Sequence, residues 1–234
     1  MMNTPWYLYV LIPAHNEEAL LPRCLRSVLT ACAVLPASCH YEIIVVSDAS
    51  TDQTASLAKM ILKGKGLVVK SDKMNVGEAR RLAARTAISR FADNPARCWL
   101  ANTDADCQVP DHWLTSQLAR AANGVQAITG IINVDSFEEH APHVPERFRQ
   151  TYLLGADGSH SHVHGANLGV RMDAYLKAGE WSGLKTGEDH DLWRRLILQG
   201  SVTLSDTGLC VLTSGRRIGR APQGFADRLA AHNG

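Results

Sequence analysis

Short apolar runs of strand length recur along this chain, each followed by a segment with helical spacing, and that alternation limits the folds open to it. Residues 7–12, 41–46, 66–70, 98–101 and 125–134 are rich in Val, Ile, Leu and aromatic side chains and read as buried strands. Between them, Pro22 suits the first turn of a helix that sets Leu25, Val28, Leu29 and Cys32 on one side. Ser50 and Gln53 form a capping-box pattern for a helix ending at Gly64. Residues 76–91 carry a third helix, and Asp111 caps a fourth running to Asn123. Farther on, 167–170, 202–205 and 209–213 read as strands and 189–199 as a helix. The alternation predicts one α/β domain, a mainly parallel sheet flanked by helices. From 135 to 164 the periodicity dissolves into a polar stretch with two prolines and five histidines, which predicts a long mobile loop.

Ligands of such sheets bind beyond the carboxyl ends of the strands, where the polar residues of this chain gather. With 24 basic and 23 acidic side chains in 234 residues, no basic face for a nucleic acid is expected. No apolar run is long enough for a transmembrane anchor, and the amino terminus lacks the pattern of an export signal. Six cysteines without a CxxC pair fit reduced thiols in a cytoplasmic protein.

The fourth strand ends in Leu100-Ala-Asn-Thr-Asp-Ala-Asp-Cys107. In an extended stretch residues i and i+2 point the same way, so Asp104 and Asp106 can face one ligand. Two carboxylates with open positions suit Mg²⁺ or Mn²⁺, which would neutralise charge building on a departing diphosphate. A solvated acidic turn gives the same short pattern. An aspartyl-phosphate phosphatase needs its Asp pair after the first strand, where this chain has His15-Asn16-Glu17. A dehydrogenase would show a glycine-rich G-x-G-x-x-G there, and it is missing. A sugar-phosphate nucleotidyltransferase would need a glycine-rich basic loop at the same place, and the loop is acidic.

Ile12-Pro-Ala-His-Asn-Glu-Glu18, Val46-Ser-Asp-Ala-Ser-Thr-Asp-Gln-Thr54, Asn75-Val-Gly-Glu-Ala-Arg80, Thr103-Asp-Ala-Asp-Cys107, Gly165-Ala-Asn-Leu-Gly169 and Gly187-Glu-Asp-His-Asp-Leu-Trp-Arg-Arg-Leu196 follow one another in order. Together they resemble the inverting family 2 glycosyltransferases of the GT-A fold. The resemblance implies a nucleotide-sugar donor, UDP-linked, with Mg²⁺ or Mn²⁺ as cofactor. The acceptor would be a glycan, a lipid-linked group or a small molecule. It implies a nucleotide-binding half, 1–106, and an acceptor-binding half, 107–234. Pro13, Ala14, Asn16, Glu17 and Asp48 match positions that hold base and ribose, and Gly77 and Arg80 match the opposite wall. Asp104 would contact the ribose or a metal-bound water, Asp106 would bind the metal, and Asp189 matches the general base, with Glu188 beside it. An acceptor hydroxyl must lose its proton as it attacks, which gives that carboxylate its task. Glu188 and Asp189 also suit the first turn of a helix on charge grounds alone. Ser47 stands where relatives often have a second aspartate, and no histidine follows the last strand as a further metal ligand. A sugar-nucleotide-binding subunit without catalysis is the non-enzymatic alternative; the presence of Asp106 and Asp189 argues against it.

His140, His143, His160, His162 and His164 lack the partners of a structural zinc site and fit a polar acceptor loop. His164 abuts the segment with Asn167 and is expected on the acceptor side together with it. In the tail from 214 to 224, Arg216, Arg217 and Arg220 have forks that match phosphate oxygens, and Arg217 is expected to close over the donor diphosphate.

Overall fold

In the computed structural model, which describes residues 5–152, 154, 155, 157–220 and 224–234, the apolar runs join in a single seven-stranded sheet. The chain runs β1 (Tyr7–Ala14), α1 (Leu21–Ala33), β2 (His40–Asp48), α2 (Thr54–Leu62), β3 (Gly66–Ser71), α3 (Val76–Arg90) and β4 (Cys98–Asn102). It continues through α4 (Trp113–Ala122), β5 (Ala127–Val134), α5 (Val144–Thr151), β6 (Leu168–Arg171), α6 (Met172–Lys177), α7 (Glu188–Leu198), β7 (Thr203–Thr213) and α8 (Phe225–Ala231). The strand order is β3-β2-β1-β4-β6-β5-β7, and every neighbouring pair is parallel except the two made by β6.

The two faces are packed by the period-2 alternation of the strands. Leu8, Val10 and Ile12 of β1 meet Leu21, Leu25 and Val28 of α1 and Trp113 of α4 on one face. Tyr9 and Leu11 turn to the other, against Ala79, Ala83 and Ala87 of α3 and Leu192 of α7. Both faces are covered, so β1 and β2 read as unbroken apolar runs rather than as alternating ones. Among the described residues no helix is long and apolar enough to cross a membrane. All six cysteines are unpaired.

Several expected boundaries shift for local reasons. The turn into α2 is closed by Asp52, whose Oδ1 accepts from the Thr54 N–H (2.9 Å) and hydroxyl (2.5 Å), while Ser50 instead receives the Asn16 N–H. The helix ends at Leu62, where Lys63 takes a left-handed φ of 44°. At α4 the cap position is His112, not Asp111. The 135–164 stretch is not structureless. It holds α5, whose Val144 and Phe148 pack on Leu229 and Phe225 of α8. The two strands expected at 202–205 and 209–213 are one, β7, whose register slips opposite Gly130 and Ile131.

Candidate active site

Beyond the carboxyl ends of β1, β2 and β4 lies a cleft of about 440 Å³. Pro13, Ala14 and Glu17 from the end of β1, Asp48 of β2, and Asp104 and Asp106 after β4 form its floor. Met74, Lys185, Arg216 and Arg220 line its mouth. A second cavity of about 410 Å³ lies around Tyr7, His40 and Lys65, at the opposite ends of the strands. None of the residues carrying the motifs lines it.

Each floor carboxylate is held in a different way. Asp48 accepts the backbone N–H groups of Lys73 and Asn75, both at 2.8 Å, and so ties β2 to the entry of α3. Asn75 in turn caps α3 by accepting the Glu78 N–H. Asn16, with a φ of 50°, accepts the Thr51 N–H and does not line the cleft. The turn carrying Asp104 and Asp106 is gripped from α1: Cys24 Sγ donates to the Asp104 carbonyl (3.3 Å) and Arg23 to the Asp106 carbonyl (3.0 Å). Glu17 is 5% exposed, and its carboxylate takes a hydrogen bond from Arg216 Nη2 at 2.7 Å.

Arg80 joins the two sides of the site. Its side chain is buried on α3, with Nη2 on Asp104 Oδ1 (2.6 Å), Nε on Glu188 Oε1 (3.1 Å) and Nη1 on the Gly165 carbonyl (3.2 Å). Its guanidinium lies 5.4 Å from the Trp181 ring centre. Burial by itself would loosen its proton, but Asp104, Glu188 and Asp189 outweigh that and hold the cation firmly charged. Burial likewise pushes the Glu188 carboxyl up, against the pull of Arg80. Expected on the nucleotide wall, Arg80 thus spends its donors on protein groups.

The donor set at the cleft floor fits a hard divalent ion. Asp104, Asp106 and Cys107 place one ligand atom each within 4.8 Å of one another. Burial pushes the Asp106 carboxyl up to about 6, with repulsion from Asp104 and Glu17 and against the pull of Arg216, so this cluster of carboxylates favours positive charge beside it. Cys107 is a poor ligand for Mg²⁺ or Mn²⁺. Burial drives its thiol well above the usual range, and the thiol donates to Asp106 Oδ1 at 3.6 Å.

At the start of α7, Asp189 Oδ2 accepts the Gly165 N–H at 2.9 Å, and Asp189 stays partly exposed. The preceding residue, His164, shares a 2.9 Å hydrogen bond with the Tyr152 hydroxyl, which also accepts the Ile132 N–H. His162 stacks on Tyr152 with ring centres 3.9 Å apart. Burial pushes His164 down to about 3, against the pull of Asp189, so the folded chain keeps it neutral while the unfolded chain binds a proton near pH 6.5. Stability therefore falls as the pH drops below about 6.5, with a slope from this one group approaching ~1.4 kcal/mol per pH unit. Urea unfolding at pH 7, 6 and 5 should show that slope flattening in His164→Gln. An identical slope in the variant would assign the acid sensitivity elsewhere.

Besides Asn16 and Arg80, three further expected site residues have other partners. Asn167 is fully buried; its amide donates to the Ile131 and Leu209 carbonyls (2.8 Å each) and accepts the Trp113 indole N–H, which leaves nothing for an acceptor. It fills the gap opened by the register slip of β7. Gly77 lets α3 approach the 182–184 backbone, where a Cβ would collide with two carbonyls. Arg217 is exposed, lies outside the cleft lining and offers its backbone N–H to Glu139. Its neighbour Arg216 enters instead, a difference of side-chain direction in irregular chain that spacing does not reveal. The histidines of the 135–164 stretch act as tethers: His140 to the Gly215 carbonyl, His143 to that of His232, His160 to that of Thr129.

The family model described as glycosyl transferase family 2 matches residues 9–178. Among curated relatives, the undecaprenyl-phosphate 4-deoxy-4-formamido-L-arabinose transferase of Pseudomonas aeruginosa (strain LESB58) is 28% identical over 169 residues, 72% of this chain and 48% of the relative. The protein of the same name from Klebsiella pneumoniae (strain 342) is 28% identical over 119 residues, 51% of this chain and 35% of that one. The chain thus spans about half the length, or less, of these relatives. Two solved structures share its fold. S. aureus TarS 1-349 in complex with UDP-GlcNAc has a TM-score of 0.68 at 16% identity, over 94% of this chain and 61% of that one. The mannosyltransferase PcManGT from Pyrobaculum calidifontis, in complex with GDP-Man and Mn²⁺, has a TM-score of 0.67 at 17% identity, over 97% and 68%. With the family model covering most of its length and the GT-A architecture shared with both neighbours, the chain belongs to glycosyl transferase family 2.

Proposed function

We propose that this chain transfers a sugar from a UDP-linked donor to an acceptor hydroxyl by a single displacement, with inversion. What supports the reading is the Arg80 bridge: one buried guanidinium binds Asp104 on the donor side and Glu188 at the start of α7, which ties the segment carrying Asp189 to the acidic floor of the cleft. Pro13, Ala14, Glu17 and Asp48 line the nucleoside end. Asp106, with Asp104, would hold Mg²⁺ or Mn²⁺. When bound, the ion neutralises the charge that builds on the leaving diphosphate. Asp189 takes the acceptor proton; hydrogen bonds from the Gly165 N–H to Oδ2 and from the His190 N–H to Oδ1 hold its carboxylate in place. The solved neighbours bound to UDP-GlcNAc or to GDP-Man with Mn²⁺ support a nucleotide-sugar donor and a divalent ion.

The test is donor turnover with Mn²⁺, with Mg²⁺ and after EDTA, across a panel of nucleotide sugars. Turnover should require the ion, and Asp106→Asn should lower it by roughly 10²–10³-fold, the scale of losing one charge-stabilising group. Full activity in EDTA, or an Asp106→Asn variant as fast as the wild type, would refute the metal assignment.

A further inference from the structure

The mouth of the cleft carries a cation of its own. Arg216 Nη2 lies 2.7 Å from Glu17 Oε1 and 2.9 Å from Asp106 Oδ2, bridging two carboxylates that are 6% and 14% exposed. This puts positive charge in nearly the place that a divalent ion on Asp106 would take. The backbone that delivers the side chain is pinned. Gly215 donates its N–H to Asp135 Oδ1 and runs so close to Ser136 that a Cβ would collide with that residue's carbonyl. The Arg217 N–H is held by Glu139. The side chain of Arg216 can therefore change partners while its backbone stays put.

Resting on the donor reading above, we propose that Arg216 is a diphosphate-binding residue that, without donor, occupies the cation position on Asp106 and Glu17. Two cations do not share one pair of carboxylates without mutual repulsion, so Arg216 and the metal ion compete. A nucleotide diphosphate resolves the competition, because its oxygens accept both the ion and a guanidinium fork. Metal and donor then enter together, and metal alone binds poorly. Arg220, 3.9 Å from Glu17, lies beside the vacated carboxylate and keeps it partly compensated.

Isothermal titration with two probes tests this: MnCl₂ alone, and UDP in the presence of Mn²⁺. The proteins are the wild type, Arg216→Ala, Arg216→Gln and the distant surface control Arg149→Ala, with circular dichroism as the check on folding. Arg216→Ala and Arg216→Gln should each bind Mn²⁺ alone at least about tenfold more tightly than the wild type and UDP about tenfold more weakly. Arg149→Ala should match the wild type in both. Mn²⁺ affinity that is unchanged or weaker in a folded Arg216 variant overturns the competition, and unchanged UDP affinity overturns the transfer of Arg216 to the diphosphate. If the wild type binds neither UDP nor Mn²⁺, the donor reading fails with it; if UDP and Mn²⁺ bind the wild type and the variants alike, only the role of Arg216 fails.

Discussion

Replacing Asp189 with Asn leaves UDP and metal binding intact and lowers transfer to a hydroxyl acceptor by about 10²–10⁴-fold, the range for losing a positioned general base. The substitution is nearly isosteric; its amide oxygen keeps the Gly165 N–H and gives up only the local bond to the His190 N–H, so the fold at the start of α7 persists. The loss should appear in kcat, since the proton moves only as the acceptor attacks. Single-turnover rates beside UDP titrations separate the two effects. The same variant reports on acceptor chemistry. A hydroxyl must be deprotonated during attack, whereas a phosphate monoester, with a second pKa near 6, arrives already ionised. Near-wild-type transfer to a polyprenyl phosphate by Asp189→Asn would remove the hydroxyl and the general base from this account together.

Arg80→Met is expected to be the most damaging change to the scaffold of the site. It keeps a linear apolar side chain over Trp181 but strands Glu188, which is 7% exposed, and Asp104, which is 35% exposed. Losing one partner of a buried ion pair costs about 3–5 kcal/mol, and the water that reaches Asp104 brings the expectation to roughly 2–4 kcal/mol at pH 7. The pH dependence has a definite sign. Burial already raises Glu188, and removing the guanidinium raises it further, so the folded variant binds this proton more tightly than the unfolded chain. Its stability deficit should therefore shrink as the pH falls from 7 towards 5. Adding Glu188→Gln should recover part of the stability at pH 7, because no buried charge remains on that side, but not the activity. Chemical denaturation of the four proteins of this cycle at two pH values checks it. Additive losses would show that Arg80 and Glu188 do not act as a unit.

The strands were legible because Leu8 to Ile12 and Ile43 to Val46 are apolar on both faces, which only a covered sheet requires. The direction of β6 was not, since four residues between a turn and a short helix carry no mark of polarity along the chain. Helix α5 escaped notice because two buried side chains, Val144 and Phe148, are too few to set a period among Pro, Glu, Arg and Gln. Their partner Leu229 lies near the other end of the sequence. The carboxylates of the cleft were readable from their places at strand ends. The arginines were not: Arg80 finds its partners 24, 85 and 108 residues away, and only the folded chain brings them together. Asn167 illustrates the converse. A polar residue in a motif is easily assigned to substrate, yet its amide repairs carbonyls freed where two strands slip in register.

The sheet runs without interruption beneath the 1–106 and 107–234 segments alike, with β4 hydrogen-bonded directly to β6. A molecule built so has no axis about which one half swings against the other. On the donor reading proposed above, the exchange of spent nucleotide for fresh donor then falls to groups around the rim, and ion pairs such as those of Arg216 set its barrier rather than a bending of the sheet.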